Sequence, residues 1–375
     1  MATEYEIVLL DPRGNVLTKN LTAFTSLEYA RKVNDVGSLT MKLPATFPLY
    51  WFGRDYRIEV WRSIDQRPAY LEGDTQWLIR KINLSYNQGD RVLAVTAYDL
   101  NSLLKRRIVA YPAGDQTYTI KAGYADDMMK EIVSENFGIG CLDGDRDWEI
   151  NGWLAIQEDF GLAFPVEKEF ARRIVLPIFQ ELAAYSYEWG IYLAFDFYRK
   201  SRNLIAFRTY INQRGVDHTK GSPSPILFGA KYGNFVDDEY IDDGTDEATF
   251  IYAGGQGEEA ARIIGSAQDD ARIGVSPFGR IEGWVDARQA ELIATVTDEA
   301  ESELRRRVPK RTISGKVADI DSCRYGLHYK FGDKVTVETD EVSVPAFVDS
   351  VHVTVNEGKE TVDIVLEAEW SAKQT

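Results

Sequence analysis

Histidines, cysteines and carboxylates are the residues of this 375-residue chain that could do chemistry, and their spacing gives them little to work with. His218, His328 and His352 are the only histidines, and none has a Cys, Ser or Asp partner at a catalytic spacing. His352 lies between Val351 and Val353 on a predicted strand, where a packed or solvent-facing imidazole is the default. Cys141 and Cys323 make neither a disulfide framework nor a metal pattern, which fits assembly in a reducing compartment. No His/Glu helix pair for zinc and no nucleophile elbow occurs. Carboxylates are numerous enough for a glycosidase pair, but number alone does not make one.

Three local patterns need weighing. Gly255-Gln256-Gly257-Glu258-Glu259-Ala260 follows an apolar strand and matches the dinucleotide fingerprint with alanine in third place. Glu258 and Glu259 would put negative charge where phosphates must sit, and Gly265 leaves too short a helix, so a Gly-rich turn is the better reading. Asp143-Gly144-Asp145-Arg146-Asp147 opens like a calcium loop, yet Trp148 and Leu154 stand where the loop needs Gly and Glu. A surface loop is expected there. Asp237, Asp238, Glu239, Asp242, Asp243, Asp246 and Glu247 crowd one short stretch without a base. Three readings stay open: a solvated hairpin tip, a calcium site of no defined spacing, or a loop facing a cavity where negative potential has a use. No catalytic residue, cofactor or resident metal is assigned.

The elements that would carry these residues are mostly strands. Tyr5–Leu10 alternates and enters the turn Asp11-Pro12-Arg13-Gly14; Leu39–Leu43, Arg57–Arg62, Trp77–Tyr86 and Arg91–Tyr98 follow. Asp99 is placed to cap a short helix, closing a β unit over residues 1–110. A mixed α+β region spans 111–220. It holds a helix at Ala125–Phe137 stopped by Gly138, another at Ile174–Trp189 whose regular turn starts at Pro177, and a hairpin of Ile191–Tyr198 and Asn203–Ile211. Gly221-Ser222-Pro223-Ser224-Pro225 is the clearest boundary. Beyond it, 221–375 reads as a second, interrupted β unit. Its strands are Ala248–Ala253, Arg280–Val285, Val317–Ile320, Lys334–Glu338, Ala346–Val355 and Glu360–Glu369. A long amphipathic helix over about 286–308 carries Leu292, Val296 and Leu304, with Arg305–Arg307, Lys310 and Arg311 at its end.

The two ends of the chain read alike. Leu78-Ile79-Arg80-Lys81-Ile82-Asn83-Leu84-Ser85-Tyr86-Asn87-Gln88-Gly89 and Phe347-Val348-Asp349-Ser350-Val351-His352-Val353-Thr354-Val355-Asn356-Glu357-Gly358 align without a gap. Apolar residues coincide at 78/347, 82/351, 84/353 and 86/355, and the Asn-x-Gly turns coincide as well. Each is preceded by a strand entered through an acid, Asp55 and Asp333. A chain with related β units at both ends can build a ring with twice as many units as subunits.

Composition fits a globular protein: 44% apolar, 27% charged and 12% aromatic, so disorder is not expected. The formal charge of −16 argues against nucleic acid as a tightly held ligand. No stretch has the charged start and apolar run of a signal peptide, and none approaches the roughly 20 apolar residues of a membrane span.

Several stretches resemble tail hub proteins of long-tailed bacteriophages. They are Asn34-Asp35-Val36-Gly37-Ser38-Leu39-Thr40-Met41-Lys42-Leu43-Pro44, Trp77–Ile82, Ala97–Leu104, Gly257-Glu258 with Arg262, Gly279–Arg288 and Gly326–Val337. The resemblance implies a β-rich α+β fold with two related tail-tube-like β-barrels, the mixed region inserted between them and the helix interrupting the second. It implies a homotrimer in the virion tail, at the tip or baseplate, between the hexameric tail tube and a spike or fibre, with DNA passing through and no membrane span. Asp237, Asp238, Glu239, Asp242 and Asp243 are then candidates to line the lumen. The acidic run is denser than the family pattern. Two alternatives stay open: a tail-tip cell-wall hydrolase, which needs a cleft with paired carboxylates, and the hub of a phage-derived injection machine.

Overall fold

The computed structural model describes residues 3–19, 21–44, 46–87, 90–111, 114, 119–170, 172–318, 320–340 and 342–368. In chain order the first strands are β1 (Thr3–Leu10), β2 (Val16–Thr18), β3 (Ser26–Lys32), β4 (Ser38–Pro44), β5 (Arg57–Ile64), β6 (Tyr70–Leu71), β7 (Trp77–Asn87) and β8 (Asp90–Tyr98). Next come β9 (Ile120–Tyr124), α1 (Ala125–Phe137), β10 (Leu154–Ile156), β11 (Pro165–Glu169), α2 (Val175–Glu188), β12 (Leu193–Arg199) and β13 (Ile205–Ile211). The remainder is β14 (Leu227–Phe228), β15 (Phe235–Asp243), β16 (Phe250–Gly254), β17 (Ile264–Gln268), α3 (Asp270–Val275), β18 (Glu282–Asp286), α4 (Ile293–Arg306), β19 (Lys310–Val317), β20 (Lys334–Glu338), β21 (Ser343–Asn356) and β22 (Lys359–Ala368).

The chain forms two compact units. The larger comprises residues 1–187, 191–238 and 315–375, and the smaller 188–190 and 239–314. The larger is built on one twelve-stranded sheet in the order β14-β20-β21-β3-β4-β8-β7-β5-β1-β2, with β22 beside β21 and β6 beside β5. Period-two alternation turns Leu27 and Tyr29 of β3, Leu39, Met41 and Leu43 of β4, and Leu93, Val95 and Ala97 of β8 into one buried face. Strands of both β units therefore share this sheet, β15 and β19 pairing apart from it, and no ladder among the described strands closes it into a barrel.

The two hairpins expected to be alike superpose in register. β7 and β8 pair Leu78 with Tyr98 and end at Asn87 opposite Asp90. β21 and β22 pair Phe347 with Glu367 and end at Asn356 opposite Lys359. Each ladder shifts at one bulge, at Arg80 in the first and Asp349 in the second. Arg80 and Asp349 are aligned in the sequence match, so pairing, bulge and tip all coincide. Gln88 and Gly89 of the first tip lie outside the described residues; in the second, Glu357 and Gly358 take positive φ of 49° and 76°, as the turn requires.

Apart from residues 188–190, the mixed region belongs to the larger unit. β9 pairs with β11, and β12 and β13 form a hairpin with β10 parallel to β13. α1 has the expected bounds, and the Gly138 N–H donates to Ser134 O at its end. α2 starts at Val175, ahead of Pro177; proline is tolerated in the first turn because its missing N–H would have no helical acceptor there. Phe179, Phe195, Phe197 and Phe207 interlock with ring centroids 5.3–5.4 Å apart.

The smaller unit packs α4 on β17-β16-β18, with Val296 and Ala300 fully buried against Ile251 and Ala253. The helix is shorter than expected over 286–308. Asp286 is still paired with Gly254 in a parallel ladder, and the next backbone groups are committed to a loop: the Ala287 N–H reaches Gly254 O and the Gln256 N–H reaches Ala290 O. Leu292 precedes the helix and is 68% exposed, so it does not join the stripe of Val296 and Leu304. Lys310 and Arg311 open β19 rather than ending the helix. The strand expected at Val317–Ile320 is displaced too: β19 ends at Val317, and Ile320 makes only an isolated bridge to Cys323.

Candidate functional site

The acidic run is a strand, not a hairpin tip. β15 carries Asp237, Asp238, Glu239, Asp242 and Asp243, every one exposed, beside β19. The bases missing from the run come from β19. Lys316 Nζ lies 2.9 Å from Asp237 and Arg311 Nε 3.0 Å from Asp242, so the two strands run antiparallel. Lys316 holds the Asp237 carboxyl below its ordinary range. Asp243 Oδ1 accepts the Thr245 N–H at 2.9 Å, and Glu247 pairs with Arg272 at 3.1 Å. Asp238 and Glu239 add exposed charge between those pairs.

The remaining sequence candidates have local roles. In the Asp143–Asp147 loop, Asp147 Oδ1 accepts the N–H groups of Glu149 and Ile150, fixing a turn. The Gly255–Gly257 stretch joins antiparallel β16 and β17, with Gly257 at φ 106°. His352 Nε2 lies 2.9 Å from Glu28 Oε1 across the β21–β3 ladder. His218 Nδ1 meets Ser224 O at 2.8 Å, and His328 Nδ1 accepts the Arg324 N–H.

Two carboxylates do sit together at a pocket of about 340 Å³ lined by Asn34, Gln180, Tyr192, Asp349 and Glu367. Asp349, half-buried at the β21 bulge, is pushed up to about 6 by burial and then by Glu367. Burial raises Glu367 as well. A larger open pocket of about 990 Å³ near Tyr5 and Arg324 contains Glu360, whose two oxygens are held by Arg62 at 2.6 and 3.0 Å. That carboxylate is committed to an ion pair between β5 and β22.

A buried charge network escaped the sequence reading. Asp196 on β12 accepts from Arg31 of β3 at 3.2 Å, from Arg214 at 2.7 Å and from Tyr210 at 3.2 Å. Arg31 also meets Asp99 at 3.3 Å, and both guanidinium groups lie over the Phe331 ring. Asp99 therefore does not cap the short helical turn after it; its side chain is drawn to Arg31. Burial lifts Asp99 to about 6 against the pull of Arg31, whereas two guanidinium groups hold Asp196 below its ordinary range despite burial. The signal lay in Leu193-Ala194-Phe195-Asp196-Phe197, where an acid occupies an otherwise apolar run.

The sheet and its inserted regions have the fold of bacteriophage tail proteins. Similar solved structures include the tail protein from Neisseria meningitidis MC58, with TM-score 0.57 and 13% identity over 97% of this chain and 96% of that one. The 43 kDa tail protein of prophage MuSo2 from Shewanella oneidensis has TM-score 0.57 and 12% identity, covering 97% and 98%. Prophage tail protein gp18 from Listeria monocytogenes EGD-e has TM-score 0.52 and 12% identity, covering 98% and 95%. No curated protein matches the sequence. Residues 6–366 match the Siphovirus ReqiPepy6 Gp37-like protein family, and the chain belongs to it.

Proposed function

We propose that this chain is the structural hub of a phage tail tip or baseplate, working as a homotrimer in the virion after assembly in the host cytoplasm. Two related β units, 1–110 and 221–375, with the mixed region 111–220 between them, would give six quasi-equivalent units around the axis. Such a ring matches a hexameric tail tube on one side and a threefold spike or fibre on the other, and leaves a channel for DNA. The observation that carries this reading is the coincidence of pairing, bulge and tip in the β7–β8 and β21–β22 hairpins. Two barrels completed between neighbouring copies also fit a sheet that no ladder closes among the described residues. Some of Asp237, Asp238, Glu239, Asp242 and Asp243 would face the lumen, those on one face of β15, where carboxylates keep DNA moving rather than bound. Imaging of the assembled particle tests this: three copies between tube and spike are expected, and a location elsewhere in the particle overturns it.

The hydrolase reading has one observation in its favour, the Asp349–Glu367 pair at a pocket. Clearing of a cell-wall zymogram by this chain, abolished in Asp349→Asn, would replace the structural proposal. A hub of an injection machine without a virus differs only in the neighbouring genes.

A further inference from the structure

The two hairpins match in register but not in what lies beside them. On β21, the edge from Ser350 to Asn356 is covered by β3. The aligned stretch of β7, Lys81–Asn87, has β8 on one side, while β5 reaches only Trp77 and Leu78 on the other. Val351, Val353 and Val355 are buried, whereas their counterparts Ile82 and Tyr86 are 38% and 77% exposed. The outer edges differ in the same way. β8 is flanked by β4, which holds β3, and β22 has no further ladder among the described residues.

The strands that would complete the second repeat are present. β3 and β4 precede the first hairpin; β15 and β19 precede the second, in the same order and also antiparallel. Ser38-Leu39-Thr40-Met41-Lys42-Leu43 of β4 reads against Thr312-Ile313-Ser314-Gly315-Lys316-Val317 of β19, with Leu39 and Ile313 both buried. Lys42 pairs with Ala94 of β8, and the residue aligned with Ala94 is Asp363 of β22, whose charge acts on Lys316. Ser26 lies opposite Lys42, and Asp237 makes an ion pair with Lys316. The same alignment sets Glu28-Tyr29 of β3 on Glu239-Tyr240 of β15. The smaller unit is thus an insertion where the first repeat has the short turn between Lys32 and Ser38.

We propose that β15 of one copy adds to the Lys81–Asn87 edge of β7 in a second copy, as β3 adds to β21 within the chain. This rests on the ring-forming reading above and names its interface. The internal pairs Lys32–Ser350 and Tyr29–Val353 carry over as Asp243 against Lys81 and Tyr240 against Leu84. Opposite charges then meet at one end of the junction, and Tyr240 lies on the exposed face of β7, with Asp242 and Asp238 carried to the positions opposite Ile82 and Tyr86. Three copies make six like junctions, alternating within and between chains. Asp237, Glu239 and Asp243 turn to the sheet face that bears Glu28 and His352.

Mixing separately purified Leu84→Cys and Tyr240→Cys full-length chains under mild oxidation tests the pairing. The expected result is a covalent dimer in the mixture alone, joined through peptides containing residues 84 and 240. Lys81→Glu should raise the concentration needed for assembly roughly tenfold or more, with Asp243→Lys restoring it. Oligomers by light scattering without that cross-link, and unaffected by Lys81→Glu, overturn the interface and leave the ring. A chain that stays monomeric at its highest soluble concentration and gives no cross-link overturns both.

Discussion

Asp196 shows how one residue ties distant segments of the larger unit together. It binds Arg31 and Arg214 while nearly excluded from water, so removing it takes the carboxylate from buried Arg214 and leaves Arg31 with Asp99 alone. Asp196→Ala should cost about 3–5 kcal/mol in denaturant unfolding, and Asp196→Asn, which keeps an acceptor, clearly less. Asp349 gives a pH signature. Its pKa is raised to about 6, so between about pH 4 and 6 the folded chain holds a proton that the unfolded chain releases. Stability from this group is present below that window and falls as pH rises through it. Asp349→Asn should therefore match the parent near pH 4 and gain about 1–2 kcal/mol above pH 6, read from melting curves at both pH values.

At the scale of elements, the repeating unit is a hairpin with the strands that flank it, and periodicity alone made much of it legible. α1 ends at Gly138 as its sequence requires, and β4, β7, β8, β20, β21 and β22 lie where alternation put them. α4 failed at its start because apolar spacing cannot tell a helix from a loop whose N–H groups are taken by a neighbouring strand. Its buried residues make a separate core, so damage there should stay local. Val296→Ala should cost about 1–3 kcal/mol and open Phe250–Gly254 to hydrogen exchange, while β21 keeps its protection.

For the whole molecule, the charge of −16 and the acidic β15 matter more than any single carboxylate. The chain should not shift DNA in a gel at physiological salt, because its net negative charge opposes phosphate contacts. If the β15 face bearing Asp237 and Glu239 lines the channel, reversing Glu239 to Lys should slow genome release from assembled particles without changing their number. Ejection that keeps its normal rate would remove the lumen assignment and leave the hub reading intact.

Local order decided what the sequence could determine here: strand periodicity, the stop of α1, the like hairpins at 78–89 and 347–358, and an acidic run without bases of its own. Which edges those strands cover depends on partners far along the chain, and no periodicity encodes that. Only the tertiary structure joined strands of both β units in one sheet, set Lys316 and Arg311 against β15, gathered Arg31, Asp99, Asp196 and Arg214 away from water, and left the β7 edge without a partner strand among the described residues while β3 covers its counterpart. The physical reason is that side-chain alternation fixes which face of a strand is apolar, while hydrogen bonding along its edge is the same for every residue and selects a neighbour only once the chain has folded.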